Sequence, residues 1–248
     1  MNQPLVSLIM PVYNTVQFVK AALDSVLRQT YTNWELIVVD DNSSDGSYEL
    51  AAILAERDQR IRVYKNDTNL GIAKNRHKAV SLCSGELIGH IDSDDMLERW
   101  ALEEMLQVFA AKPDVALVYS DFAQINAKGD IEHYSASLDF GTNPLHRHGW
   151  RHFGMYKKSA YDTTGGFNTK LLRGCEDGDL FMQIAERFLC YRLPKVLYFY
   201  RNHGANTTLT VKKCNECTQR ADCNYMRVWA KSANYDPVTF KPITKEQS

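Results

Sequence analysis

Glu86-Leu87-Ile88-Gly89-His90-Ile91-Asp92-Ser93-Asp94-Asp95-Met96-Leu97 is the stretch on which the reading of this chain turns. Residues 87–91 form a short, mostly apolar run and read as a buried strand. At its carboxyl end stand Asp92, Asp94 and Asp95. Carboxylates this close repel one another, and they are tolerated together where a divalent cation, basic groups or water offsets the charge. Hard oxygen ligands at the end of a strand suit Mg²⁺ or Mn²⁺. The same residues also suit a turn that caps the next helix, since Asp is favoured in both places. The sequence on either side separates the two readings.

Upstream, Val6-Ser7-Leu8-Ile9-Met10 reads as a strand ending at Pro11-Val12-Tyr13-Asn14, where Asn14 or Thr15 is placed to cap a helix. Val16, Val19, Leu23, Val26 and Leu27 then recur at helical spacing. Residues 34–39 are a second strand, nearly continuous in apolar side chains, as a parallel sheet covered on both faces requires. It too ends in acid, at Asp40 and Asp41. A helix carrying Leu50, Ala51, Ile53 and Leu54, a third strand at 61–64 and a helix over 72–82 lead back to the central strand. This alternation predicts a doubly wound α/β sheet, whose ligands bind at the carboxyl ends of the strands.

Downstream, residues 99–111 read as an amphipathic helix and 115–119 as a buried strand. Residues 122–126 and 131–134 read as a hairpin, and Glu176-Asp177 precedes a helix containing Leu180, Ile184 and Phe188. Two further strands are expected at 189–193 and 196–200, leading into Arg201-Asn202-His203.

The chain has 248 residues, 44% hydrophobic and 24% charged, which suits a globular protein with a substantial core. A formal net charge of −1 gives no global field for nucleic acid, so an anionic ligand needs a local site. No apolar run reaches the roughly 18 residues of a membrane span. The start of the chain enters a strand pattern without the features of a signal peptide, so a cytoplasmic location is expected, with the inner face of a membrane as an option.

The ordered series of Val6-Ser7-Leu8-Ile9-Met10-Pro11-Val12-Tyr13-Asn14, Glu35 through Ser47, Asn69-Leu70-Gly71, Gly85 through Asp95, Gly165-Gly166-Phe167 and Glu176-Asp177 resembles the family 2 inverting glycosyltransferases of the GT-A fold. The resemblance runs from about residue 5 to 205. It implies a GT-A (Rossmann-like) α/β single domain with a central, mostly parallel sheet flanked by helices, plus a short helical C-terminal tail. It further implies transfer of a sugar from a nucleotide-sugar, with a UDP-sugar favoured, to a glycan or lipid-linked acceptor, using Mn²⁺ or Mg²⁺.

Carried over residue by residue, Asp41 is expected to hydrogen-bond the nucleobase. Pro11, Tyr13, Asn14, Arg76, Asp92 and Ser93 would complete the donor nucleotide site. Asp94, with Asp92 and His203, would hold the metal. Asp177 matches the catalytic base, which takes the acceptor hydroxyl's proton; an N-cap is its alternative role. Asp95 is read as the cap of the following helix. Residues 1–98 are expected to bind the donor, 99–210 to supply acceptor recognition and the base, and 211–248 to form the helical tail. The Asn75-Arg76-His77 segment departs from the family's more frequent Ala-Arg-Asn.

Six cysteines are expected as thiols or metal ligands rather than a disulfide framework. Cys214, Cys217 and Cys223 make half of a zinc pattern, and an amphipathic helix with incidental thiols is the competing reading. His146, His148 and His152 fit a metal cluster or an acceptor-binding flap. Trp100 and Trp150 receive no role. Two other functions are kept open: a nucleotidyltransferase, which would want a glycine-rich phosphate loop where Pro11-Val12-Tyr13-Asn14 stands, and a non-catalytic nucleotide-binding scaffold. Peripheral membrane association and a homodimer also stay open.

Overall fold

A computed structural model describes residues 3–137, 153–171, 176–204 and 206. The elements in chain order are β1 (Val6–Val12), α1 (Val19–Leu27), β2 (Trp34–Asp40), α2 (Ser47–Ala55), β3 (Ile61–Lys65), α3 (Ile72–Ser81) and β4 (Leu87–His90). Next come β5 (Met96–Leu97), α4 (Ala101–Ala111), β6 (Val115–Asn126), β7 (Ile131–Ser135), β8 (Gly154–Lys157), α5 (Lys158–Asp162), α6 (Glu176–Ala185) and β9 (Leu189–Asn202). The expected C-terminal tail, its three cysteines, Cys175, the histidines of the 146–152 region and Trp150 lie outside the described residues.

The strands form one sheet in the order β3-β2-β1-β4-β8-β6-β9-β5, with β7 pairing β6. The block β3-β2-β1-β4 is parallel throughout. Antiparallel β8 then separates β4 from β6, and β9 runs parallel to β6, so the second half makes the sheet mixed. Two antiparallel steps restore direction, and β6 and β9 therefore end at the same edge of the sheet as β1, β2 and β4.

Alternate residues of each strand feed opposite faces. Leu8, Met10, Leu36 and Val38 pack with Val19, Leu23 and Val26 of α1 and Met105 of α4 on one face. Ile9, Ile37 and Val39 pack with Val80 of α3 and Leu180, Phe181 and Ile184 of α6 on the other. With both faces covered, β1, β2 and β4 are buried along nearly their whole length, as the apolar runs predict. No described helix is long and apolar enough to cross a membrane.

Several boundaries differ from expectation. β1 continues through Pro11 to Val12, because its pairing with β4 stops at Ile9 opposite His90. Ile9 turns its carbonyl to Ile91 on that flank, so the missing N–H of Pro11, two residues on, faces a side with no ladder to break. Neither Asn14 nor Thr15 caps α1 through its side chain: the carbonyl of Thr15 accepts from Phe18 and Val19 instead. The strands expected at 115–119 and 122–126 are one strand, β6, and those at 189–193 and 196–200 are one strand, β9. β9 survives the interruption at Pro194 and Lys195 by bulging: Ser120 pairs Leu193, Asp121 pairs Val196, and the two residues between stand out of the ladder.

Candidate active site

After β1, β2 and β3 are laid down in one direction, the chain returns to the other side of β1 to make β4. That reversal opens a crevice at the carboxyl ends of β1 and β4, where an α/β sheet offers a ligand site. The sequence places Tyr13 and Asn14, then Asp92 through Asp95, at these two ends. The segments after β1, β2 and β4 are stitched together: Thr15 Oγ1 donates to Ser93 Oγ at 2.9 Å, Thr15 N–H to Ser47 Oγ at 2.8 Å, and Asn14 N–H to Ser43 Oγ at 3.0 Å. Asn14 holds a left-handed backbone, φ 52°, which Asn tolerates better than most side chains. Tyr13 is exposed, whereas Pro11 and Ser93 are buried.

Asp41 is buried below this crevice, and its carboxylate orders a neighbouring loop. Oδ1 accepts from Asn66 Nδ2 and the Leu70 N–H, and Oδ2 from the Gly71 N–H, each at 2.8 Å. Three of about four lone-pair sites are thus occupied, leaving one acceptor position on Oδ2. Asn66 in turn contacts Asn75 and accepts from Lys78. The Asn69-Leu70-Gly71 segment is therefore fastened to the end of β2.

α3 starts from that loop and carries Arg76 inward. Its Nη2 donates to Asp92 Oδ1 at 2.5 Å, and Nη1 lies 3.2 Å from Glu176 Oε1. The second contact is an ion pair outside hydrogen-bond geometry, and Glu176 Oε2 has no partner among the described residues. The strand after α6 begins at the far edge of the sheet, so the helix itself begins at the carboxyl edge; this brings Glu176 and Asp177 into the crevice. Arg76 is held firmly charged: burial alone would weaken it, but Asp92, Glu176 and Asp177 overcome that. One cation cannot neutralise three carboxylates. Burial accordingly pushes Glu176 up to about 7 against the pull of Arg76, with Asp177 adding to the rise. Burial also raises Asp177, again opposed by Arg76. Asp177 Oδ1 accepts from the Gly178 N–H at 2.7 Å.

Asp94 and His203 meet across 109 residues, with Asp94 Oδ2 and His203 Nε2 3.0 Å apart, because both come after strands that end at this edge. His203 also lies against Phe18, ring centroids 4.5 Å apart. A carboxylate oxygen beside an imidazole nitrogen, both side chains partly open, suits a small divalent cation. Among the described residues no third such side chain completes a cage. A cation here would draw its remaining ligands from water and from a phosphorylated ligand, as Mg²⁺-type sites commonly do.

Asp95 does not cap a helix. It is buried, its carboxylate accepts from the Arg201 N–H and the Tyr198 hydroxyl, and α4 begins six residues later, at Ala101 behind Trp100. Burial, then Asp94 and Asp92, raises the proton affinity of Asp95. The structure thus gathers Tyr13, Asn14, Arg76, Asp92, Ser93, Asp94, Asp177 and His203 along one edge of the sheet. Tyr198 and the structural part of Glu176 are additions that sequence reasoning misses. Tyr198 sits inside an apolar run, with no local signal that its hydroxyl has a task; Glu176 stands out only as the neighbour of Asp177.

The model of the family described as glycosyl transferase family 2 matches residues 7–167. The chain is 32% identical over 242 residues to a chondroitin synthase of Pasteurella multocida (strain Pm70), covering 94% of this chain and 24% of that protein. It is 33% identical over 211 residues to a hyaluronan synthase of Pasteurella multocida, covering 83% and 21%. Identity is 35% over 145 residues to the UDP-Glc:alpha-D-GlcNAc-diphosphoundecaprenol beta-1,3-glucosyltransferase WfgD of Escherichia coli, covering 58% and 56%. The chain spans about a quarter of the length of the two Pasteurella relatives. Among solved structures, S. aureus TarS 1–349 in complex with UDP superposes with a TM-score of 0.70 at 18% identity, over 92% of this chain and 65% of that one. The mannosyltransferase PcManGT from Pyrobaculum calidifontis, in complex with GDP-Man and Mn²⁺, gives 0.64 at 21% identity, over 81% and 57%. These two likenesses bear on the fold, which is that of the GT-A glycosyltransferases. The family match runs from β1 to the Gly165-Gly166-Phe167 turn, through every loop of the crevice contributed by the first half, and the chain belongs to glycosyl transferase family 2.

Proposed function

We propose that this chain is a metal-dependent inverting glycosyltransferase that moves a sugar from a nucleotide-sugar, a UDP-sugar in the first instance, to a hydroxyl of a glycan or lipid-linked acceptor. The observation that carries the reading is the meeting of the Asp94–His203 pair with Asp92, Arg76 and Asp177 at one strand edge, from elements in both halves of the chain. The nucleotide would lie along Pro11, Tyr13, Asn14 and Ser93, over the loop that Asp41 fastens. Asp41 would offer its remaining acceptor position to a base N–H. Residues 1–98 would thus serve the donor, and 99–210 the acceptor.

Asp94, His203 and Asp92 would hold Mn²⁺ or Mg²⁺, which neutralises the diphosphate as it leaves. Asp177 would take the proton of the acceptor hydroxyl while its oxygen attacks the anomeric carbon. The new C–O bond forms on the face opposite the breaking sugar–phosphate bond, whose electron pair departs with the diphosphate, and configuration inverts. A base lifted by burial is better suited to that task than an ordinary Asp. TarS structures bound to UDP and UDP-GlcNAc, and WfgD, named for UDP-Glc, favour uridine; PcManGT bound to GDP-Man makes guanosine the competitor. An acceptor carried on a lipid would bring the protein to a membrane face.

The test is nucleotide release from UDP- and GDP-sugars with Mn²⁺, with EDTA, and in Asp94→Ala. Release that needs the metal and is lost in the variant is the expected result, and proton NMR of any glycosylated product reads the anomeric configuration. Release indifferent to EDTA and to Asp94→Ala would sink the metal-dependent reading. A product of retained configuration would remove Asp177 from its role in a single displacement.

A further inference from the structure

β9 does more than close the sheet against β6. Asp95 Oδ1 accepts from the Arg201 N–H at 2.7 Å, and its Oδ2 from the Tyr198 hydroxyl at 2.7 Å. The same Tyr198 oxygen accepts from the Asp92 N–H at 3.2 Å. Arg201 Nε donates to the Asp94 carbonyl at 2.8 Å, and its Nη1 to the Ala127 carbonyl at 3.0 Å. Residues 92, 94 and 95 are therefore each tied by a separate bond to the strand that delivers His203. At the strand's end Asn206 closes the turn, accepting from the His203 N–H and donating to the Arg201 carbonyl.

We propose that Tyr198, Arg201 and Asp95 are positioning residues that fix Asp94 against His203, so that the pair is set before any ligand arrives. The proposal rests on the metal-dependent transferase reading. Its physical basis is pre-organisation. Asp94 and His203 stand on separate segments, and without a tie their approach would be ordered anew at each binding event, at an entropic cost. Outer contacts that hold ligating side chains in place are a large part of what makes a metal site. Tyr198 is fully buried and bonds the loop through its hydroxyl, so it serves the site without facing a ligand.

The experiment uses wild type, Tyr198→Phe and Asp95→Asn. Phe keeps the ring and its stack on Phe153, centroids 6.0 Å apart, and removes the hydroxyl alone. In the absence of nucleotide and metal, amide exchange of residues 91–97 is expected to quicken at least about tenfold in Tyr198→Phe, which loses both hydrogen bonds of the hydroxyl. Peptides from β1 and β2 should not change. Mn²⁺ binding in the presence of UDP, read by EPR of the free ion, should weaken by about the same factor in both variants. The turnover number at saturating Mn²⁺ should stay near that of wild type, a split that general loss of structure would not give. Wild-type exchange and wild-type Mn²⁺ binding in both variants would overturn the proposal. If Tyr198→Phe loosens the whole sheet, Asp95→Asn, which leaves the tyrosine in place, decides between the same two outcomes. Failure of the wild type itself to bind Mn²⁺ with any nucleotide would instead overturn the transferase reading, and is told apart because it appears before any substitution.

Discussion

Arg76 brings a planar fork of donors into a space with little water, where Asp92, Glu176 and Asp177 outnumber it three to one. Removing one partner from such a cluster leaves buried charge uncompensated, which typically costs about 3–5 kcal/mol. Arg76→Ala is therefore expected to lower the melting temperature by on the order of 10 °C in a chain of this size. Arg76→Lys should rescue only part of that, because a single ammonium cannot reach both carboxylates as the fork does. Calorimetry of the two variants checks this, and a Lys variant as stable as wild type would show that charge alone suffices. Glu176 gives a second expectation. It binds its proton up to about pH 7 in the folded chain, against an ordinary value of 4.5. Between those values the folded state holds a proton that the unfolded state has released, so this group's contribution to stability declines as pH rises through the window and levels off above it. Glu176→Gln should flatten that part of the profile in urea unfolding monitored from roughly pH 5 to pH 8. A slope unchanged by the substitution would assign it to another group.

The elements that hold these residues depend on close backbone approach at one point the sequence marks with glycine. A Cβ on Gly85 would stand 2.5 Å from the Leu5 carbonyl and 2.8 Å from the Ser7 N, both backbone atoms that cannot swing aside. Gly85→Ala should thus push β4 off β1 at its start, with a loss of about 1–3 kcal/mol typical of overpacking. Gly165→Ala, whose Cβ would find only Gln183 Oε1 at 3.6 Å, is the near-neutral comparison. Equal stability of the two variants by chemical denaturation would refute the argument. The parallel block is legible because buried strands write continuous apolar runs, and Gly85-Glu86-Leu87-Ile88 sits where the turn into β4 demands it. β6 and β9 are less legible. Ser120-Asp121 and Pro194-Lys195 look like breaks, yet Asp121 is answered by Arg192 and by the Ser137 N–H, and the proline rides on a bulge. Asp95 misleads for a related reason: a cap is a local pattern, whereas its partners Tyr198 and Arg201 lie more than 100 residues away.

At the scale of the molecule, the candidate site joins the loops after β1 and β4 and helix α3 to α6 and the end of β9, so it exists only when the two halves of the chain are packed together. Order of motifs along the sequence identifies most of its residues, but their convergence is a property of the sheet: two antiparallel steps through β8 are needed before β9 ends at the same edge as β4. A ligand that bridges the halves binds the folded state alone and stabilises it by mass action, about 2.7 kcal/mol at a hundredfold excess over its dissociation constant. For a chain of this length that is a rise of roughly 5–10 °C in melting temperature. UDP with Mn²⁺ is expected to give such a rise, with UDP alone giving a smaller one from contacts in the first half. His203→Ala removes a group from the second half while leaving the loops after β1 and β2 intact. Its effect should therefore fall on the metal-dependent part of the rise and spare the part UDP produces alone. The decisive comparison is the rise with Mn²⁺ minus the rise without it, in wild type and in His203→Ala: if the difference is the same in both, β9 contributes no ligand, and the binding site is confined to the parallel block.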